Sequence, residues 1–135
     1  MVYPIAKIEG VCPEFEGRLK SVGVRTTATL LERAKDPRGR KALASSSGIA
    51  ETMILRFANI ADLMRLKGVG EEYAELLEAA GVDTVKSLRS RNVQNLTRTM
   101  AELNARRNLV RAPPSEKRVA AWIAQAKTLP AVMTY

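Results

Sequence analysis

The run Lys67-Gly68-Val69-Gly70 is the part of the sequence best suited to chemistry, because two glycines surround one apolar residue and a helical pattern follows at once. Glycines permit a tight turn, and the first N–H groups of a helix have no partner inside that helix. Such N–H groups, together with the positive end of the helix dipole, bind anions such as phosphate. The spacing therefore predicts a tight turn at these four residues that leads directly into a helix.

Basic side chains give a second signal. The chain carries a formal net charge of +8, and its Lys and Arg residues cluster between positions 33 and 41 and again between 98 and 118. The candidate contacts to an anionic partner in these clusters are Arg38, Arg40, Lys41, Arg106, Arg107 and Arg111. If these clusters bind a nucleic-acid backbone, the affinity should depend strongly on salt. The alternative is that they form a solvated basic face without a partner.

Residues for catalysis or metal binding are scarce. The chain contains no histidine and one cysteine, Cys12, so neither a Ser-His-Asp nor a Cys-His arrangement is available. The aspartates Asp36, Asp62 and Asp83 are isolated from one another in the sequence. We therefore predict no catalytic residues, no metal site, no cofactor and no enzymatic activity.

The sequence repeats itself. Residues 8–30 and 66–88 are identical at eight of 23 positions when offset by 58, and Gly10 and Gly23 coincide with Gly68 and Gly81. A weaker match at an offset of 65 pairs residues 50–64 with 115–129 and sets Phe57 against Trp122. We interpret the chain as two related halves, 1–65 and 66–135, each with a net charge of +4, which share one core.

Apolar residues recur at helical spacing throughout, and no run alternates long enough to predict a strand. Gly23 and Gly81 each follow an apolar helical run, so both are expected to end a helix with positive φ. Helices are also expected over residues 47–59, 60–66 and 115–126, with Leu19, Leu77, Phe57 and Trp122 in the core. The sequence predicts an all-α fold packed as one compact domain.

The unit from Asn59 to Leu88 resembles a helix-hairpin-helix motif, which consists of an apolar helix (here about 60–66), a Gly-apolar-Gly hairpin and a second helix. The first copy, Gly10-Val11-Cys12-Pro13, is degenerate because cysteine replaces the second glycine. The whole chain is similar to a bacterial family of tandem helix-hairpin-helix proteins without an assigned function. This resemblance implies contacts between hairpin amides and DNA phosphate that are insensitive to base sequence.

One departure from that motif favours a different function. Glu71 and Glu72 follow the hairpin directly, and their carboxylates would repel a phosphate. Sequence-independent DNA binding is the leading interpretation, and an interaction or scaffolding module for an acidic protein is the alternative. A glycosylase-like enzyme, for which Asp83 and Lys86 are the nearest candidates, lacks the accompanying glycine- and proline-rich stretch. The single cysteine and the absence of an export signal or membrane span lead us to expect a cytoplasmic protein.

Overall fold

The computed structural model describes residues 2–135, and its elements there are helical. A short 3-10 helix, Ile5–Lys7, precedes eight α-helices. They are α1 (Pro13–Ser21), α2 (Thr27–Ala34), α3 (Pro37–Ser47), α4 (Glu51–Leu63), α5 (Glu71–Ala79), α6 (Val85–Leu88), α7 (Val93–Arg107) and α8 (Glu116–Thr128). Within the described range no β-strand forms, and an isolated bridge joins Pro4 to Thr26. The predicted all-α fold is confirmed.

The helix ends follow the expected capping chemistry. The side chains of Thr26 and Thr84 each accept a hydrogen bond from the N–H three residues further on, which satisfies one of the unpaired donors at a helix start. Gly23 and Gly81 have φ of 88° and 89°, so the prediction of positive φ at both positions is confirmed. Ser115 caps α8 in the same manner through the N–H of Arg118.

The helix expected over residues 47–59 and the separate helix expected over 60–66 were wrong. Ser47 ends α3, because Gly48 adopts φ of 73° and takes the chain out of the helix. α4 then runs without interruption from Glu51 to Leu63, since Ile60 and Leu63 continue the buried face that Ile54 begins. The residues before the second hairpin therefore belong to the end of a long central helix rather than to a short helix of their own.

The core gathers around α4, which packs against α2, α3 and α5. Phe57 of α4 is completely buried, and so are Leu19 of α1 and Leu77 of α5. Trp122 of α8 is 2% exposed. The predicted core positions are thus confirmed, and α8 reaches the same core from the other end of the chain while it packs against α6 and α7.

The helix bounds correspond at the two offsets found in the sequence. α1 and α5 both contain nine residues, and α5 begins 58 positions after α1. α4 and α8 both contain thirteen residues, and α8 begins 65 positions after α4. Among the described helices, none combines the length and apolar character that crossing a membrane requires.

Candidate nucleic-acid interface

The turn between α4 and α5 presents the predicted Lys67-Gly68-Val69-Gly70 run. Val69 is completely buried, as is Leu66, and the N–H of Val69 donates to the carbonyl of Leu66 at 3.1 Å. Two buried apolar residues therefore anchor the turn to the core. Lys67 and Gly68 remain exposed between them, and Gly68 has φ of 85°.

An open groove of about 580 Å³ lies between this turn and one face of α8. Its lining residues come from the turn and from successive turns of α8, and they are Lys67, Gly68, Ser115, Lys117, Arg118, Ala121, Trp122 and Gln125. A Cβ atom placed on Gly68 would lie 3.5 Å from Nε1 of Trp122. The hairpin thus lies directly against the indole edge, and the groove runs along that contact. We call it the α8 groove.

Hydrogen bonds and ring contacts hold the walls of the α8 groove in place. The Lys67 N–H donates to Oε1 of Gln125 at 2.9 Å, which ties the hairpin to α8. Arg118 donates from Nη1 to the hydroxyl of Tyr73 at 3.1 Å, and its guanidinium carbon lies 5.5 Å from the centre of that ring. The Tyr73 ring in turn packs on Trp122. The guanidinium of Arg118 is therefore oriented by a cation–π contact rather than left free in solvent.

The electrostatics of the α8 groove favour an anion. Lys67, Lys117 and Arg118 contribute three positive charges, and none of the described residues that line the groove is acidic. The beginning of α8 also faces it, since Ser115 caps that helix at the groove's edge. The positive end of the helix dipole lies there as well, and Glu116 in the first turn of α8 offsets part of it.

Gly70 belongs to a different surface. It lines a separate hollow of about 320 Å³ together with Tyr3, Lys7 and the two carboxylates that follow the hairpin. One of these, Glu71, forms an ion pair with Lys7 at 3.8 Å between Oε1 and Nζ. The four hairpin residues predicted as one site are therefore divided: Lys67 and Gly68 face the α8 groove, Val69 is in the core, and Gly70 faces the acidic hollow.

The prediction that Arg40 of the first basic cluster contacts an anionic partner was wrong, because this side chain is buried. Its side chain is only 4% exposed and donates to the carbonyls of Ala34 at 3.0 Å and Thr134 at 2.7 Å. The guanidinium also lies 5.5 Å from the ring of Tyr135. Arg40 thus joins the end of α2 to the C-terminal segment, because buried carbonyl oxygens there need a donor.

The other predicted basic residues are exposed, but they line neither the α8 groove nor the hollow beside Gly70. Arg38 and Lys41 lie on α3, which packs against α1, α2 and α4. Arg106 and Arg107 form the last turn of α7, and Arg111 follows in the connection to α8. They remain predictions as nucleic-acid contacts.

Sequence reasoning missed the face of α8 as the partner of the hairpin. Arg118, Trp122 and Gln125 are spaced by four and three residues, which places them on one side of a helix. That spacing was the available signal. A buried tryptophan between two polar groups on one face indicates a surface that is apolar at its base and polar at its rim.

The family described as "Domain of unknown function (DUF4332)" matches residues 9–129. The chain belongs to this family. The match begins one residue before the glycine of the first hairpin and ends one residue after α8, so all eight α-helices of this DUF4332 chain, together with the α8 groove, lie within it. No curated protein and no solved structure matches the chain.

Proposed function

We propose that this DUF4332 protein is a non-enzymatic module that binds the nucleic-acid backbone, DNA in particular, without sequence preference, and that the α8 groove is its contact surface. The observation that carries the proposal is the meeting of Lys67, Lys117 and Arg118 around one groove without an acidic lining residue. Cationic side chains on a backbone read charge rather than base identity.

The groove differs from the phosphate dock that the helix-hairpin-helix resemblance implies. In that motif the amides at the start of the second helix face phosphate, but here the start of α5 opens into the hollow that contains Glu71 and Glu72. The α8 groove lies on the other side of the hairpin, toward α8. The carboxylates therefore do not line the proposed surface.

The test compares two double variants that remove the same charge. Lys117→Gln with Arg118→Gln changes the α8 groove, whereas Arg25→Gln with Lys127→Gln changes two exposed residues outside it. Binding to a duplex is measured as a function of salt. The groove variant should reduce the magnitude of the salt slope by about 1.8, since each lost phosphate contact removes about 0.9. The matched control should keep the slope of the parent.

Equal losses in both variants would contradict the proposal, because charge alone would then explain the binding. A second comparison uses a lysine-rich protein of similar net charge. If that protein binds duplex and single-stranded DNA as tightly as this one at physiological salt, the alternative of a module for an acidic protein partner is favoured instead.

A further inference from the structure

The two glycine turns, at Gly10 and at Gly68, lie beside aromatic pairs of the same construction. In the first half, Phe15 of α1 packs on Phe57 of α4 with ring centres 6.1 Å apart. In the second half, Tyr73 and Trp122 form the matching pair at 5.2 Å. Each pair lies next to a hairpin glycine, since Cβ atoms placed on Gly10 and Gly68 would lie 3.2 and 3.5 Å from the Phe57 and Trp122 rings.

Beside Gly10 the surface is covered by one of the protein's own side chains, Arg56. Nη1 of Arg56 would lie 2.7 Å from a Cβ atom on Gly10 and donates to the carbonyl of Glu9 at 3.3 Å. Nη2 of the same guanidinium pairs with Oε1 of Glu78 at 3.0 Å. An arginine from α4 thus occupies the place beside the first hairpin where a ligand would have to enter.

The α8 groove is open because the second half of the sequence has no arginine at the position that corresponds to Arg56. The offset of 65 that pairs Phe57 with Trp122 also pairs Arg56 with Ala121, and the methyl group of Ala121 leaves the volume of about 580 Å³ empty of protein atoms. A cavity of this size falls in the range of small-molecule sites. The α8 groove therefore has room for one phosphate and the organic group attached to it.

We propose that the α8 groove is a pocket for a phosphate monoester, with the phosphate near Lys67, Lys117 and Arg118 and the attached organic group against Ala121 and the edge of Trp122. The inference rests on the proposed function and refines it. A monoester carries nearly two negative charges at neutral pH, whereas an internal phosphodiester carries one. Three cations at one place therefore favour the monoester over the diester. Its source is either the phosphorylated end of a nucleic-acid strand or a free nucleotide.

The test uses two short single-stranded DNA probes of the same sequence, labelled at the 3′ end, with a phosphate or a hydroxyl at the 5′ end. At physiological salt the phosphorylated probe should bind about tenfold more tightly, because its terminal monoester brings nearly two negative charges to the three cations, whereas the hydroxyl probe can offer them only a singly charged internal diester. AMP should displace it, and adenosine should not. Equal affinity of the two probes for the parent protein overturns the inference.

Ala121→Glu supplies the decisive variant, because it places a carboxylate in the α8 groove that pairs with the cations and repels a phosphate. The matched control is Ala120→Glu, which adds the same charge at an exposed neighbouring position outside the groove. Ala121→Glu should abolish the preference for the 5′-phosphate, and Ala120→Glu should retain it. Both positions are exposed, and circular dichroism checks that both variants are folded. A preference that survives Ala121→Glu overturns the inference.

The outcomes also separate the inference from the proposed function. If both probes bind the parent equally and Lys117→Gln with Arg118→Gln weakens both, backbone binding stands and the monoester pocket is wrong. If AMP binds and neither the two probes nor the duplex does, the pocket is supported as a nucleotide site and nucleic-acid binding is wrong.

Discussion

The indole of Trp122 lies against the ring of Tyr73, with ring centres 5.2 Å apart and ring planes inclined at 60°. This separation lies within the range of about 4.5–7 Å over which aromatic pairs stabilise a fold. Tyr73 carries Arg118 on its own ring, so one stack connects the buried core to a charged side chain of the α8 groove. The position of that cation therefore depends on core packing.

The first prediction concerns the base of that stack. Trp122→Ala should lower the free energy of unfolding by about 3–5 kcal/mol, because a large, nearly buried side chain would leave a cavity. Unfolding in urea, followed by circular dichroism, measures the loss. Trp122→Phe, which keeps an aromatic ring, should lose less. A urea midpoint that Trp122→Ala does not shift would contradict the packing described here.

The second prediction concerns Asp62, a buried carboxylate that joins the end of α4 to the start of α6. Its two oxygens accept hydrogen bonds from Arg65 Nη1 at 2.7 Å and from the N–H of Val85 at 2.8 Å. Asp62→Ala would leave that N–H without an acceptor in the interior, at a cost of about 1–3 kcal/mol. Asp62→Asn, which retains an acceptor oxygen, serves as the comparison in thermal melts, and an equal loss in both variants would contradict the role of the Val85 bond.

The third prediction is a pH dependence that arises at Glu75. Partial burial raises the pKa of this carboxyl group, and neighbouring Glu9 raises it further, while Arg107 opposes the shift. A carboxyl group with a raised pKa binds its proton more tightly in the folded than in the unfolded state. The carboxyl group of Glu75 therefore contributes stability that is fully present below its ordinary pKa. This contribution is lost as the pH rises through the pKa of the folded protein.

Glu75→Gln should remove this contribution. Just above the ordinary carboxyl range, the free energy of unfolding of the variant should depend less on pH than that of the parent protein. Near neutral pH the variant should be at least as stable as the parent. Urea titrations at several pH values between about 4 and 7 measure the difference, because this interval contains the ordinary carboxyl pKa and the values above it. A variant with the parent's full pH dependence would assign that dependence to other groups.

Local signals in the sequence were sufficient for the helix ends that depend on one residue. Gly23 and Gly81 end their helices with positive φ as predicted, because this kind of helix end depends only on a glycine that can adopt the left-handed conformation. The continuous α4 was not foreseen. Gly48 marks the break before α4. Ile60 and Leu63 could be assigned to the same helix as Ile54 only once the structure showed that all three lie on one buried face.

The candidate site was less accessible to sequence reasoning because it combines distant residues. Lys67 and Gly68 were predicted from a local hairpin pattern, but their partners Arg118 and Gln125 come from α8, about 50 residues later. Arg40 shows the opposite case. Its charge suggested the surface, whereas carbonyls of Ala34 and Thr134 that approach one another only in the fold hold it in the interior.

The last prediction concerns the two carboxylates after the second hairpin. Glu72→Gln and Glu71→Gln should each tighten DNA binding by about twofold at low salt, since each removes a carboxylate whose repulsion of a phosphate across solvent is worth a few tenths of a kcal/mol. Glu71→Gln also releases Lys7 from its ion pair, so its effect should be the larger. Glu51→Gln, which removes an exposed carboxylate from the first turn of α4, is the matched control and should have less effect.

The salt dependence of this gain distinguishes the two sides of the hairpin. Because Glu71 and Glu72 line the hollow beside Gly70 and not the α8 groove, they act on a bound phosphate from a distance, and their effect should disappear as the screening length falls to about 3 Å near 1 M salt. Fluorescence anisotropy at a series of salt concentrations measures it. A gain that persists undiminished at high salt would instead place the phosphate in direct contact with the start of α5, against the assignment to the α8 groove.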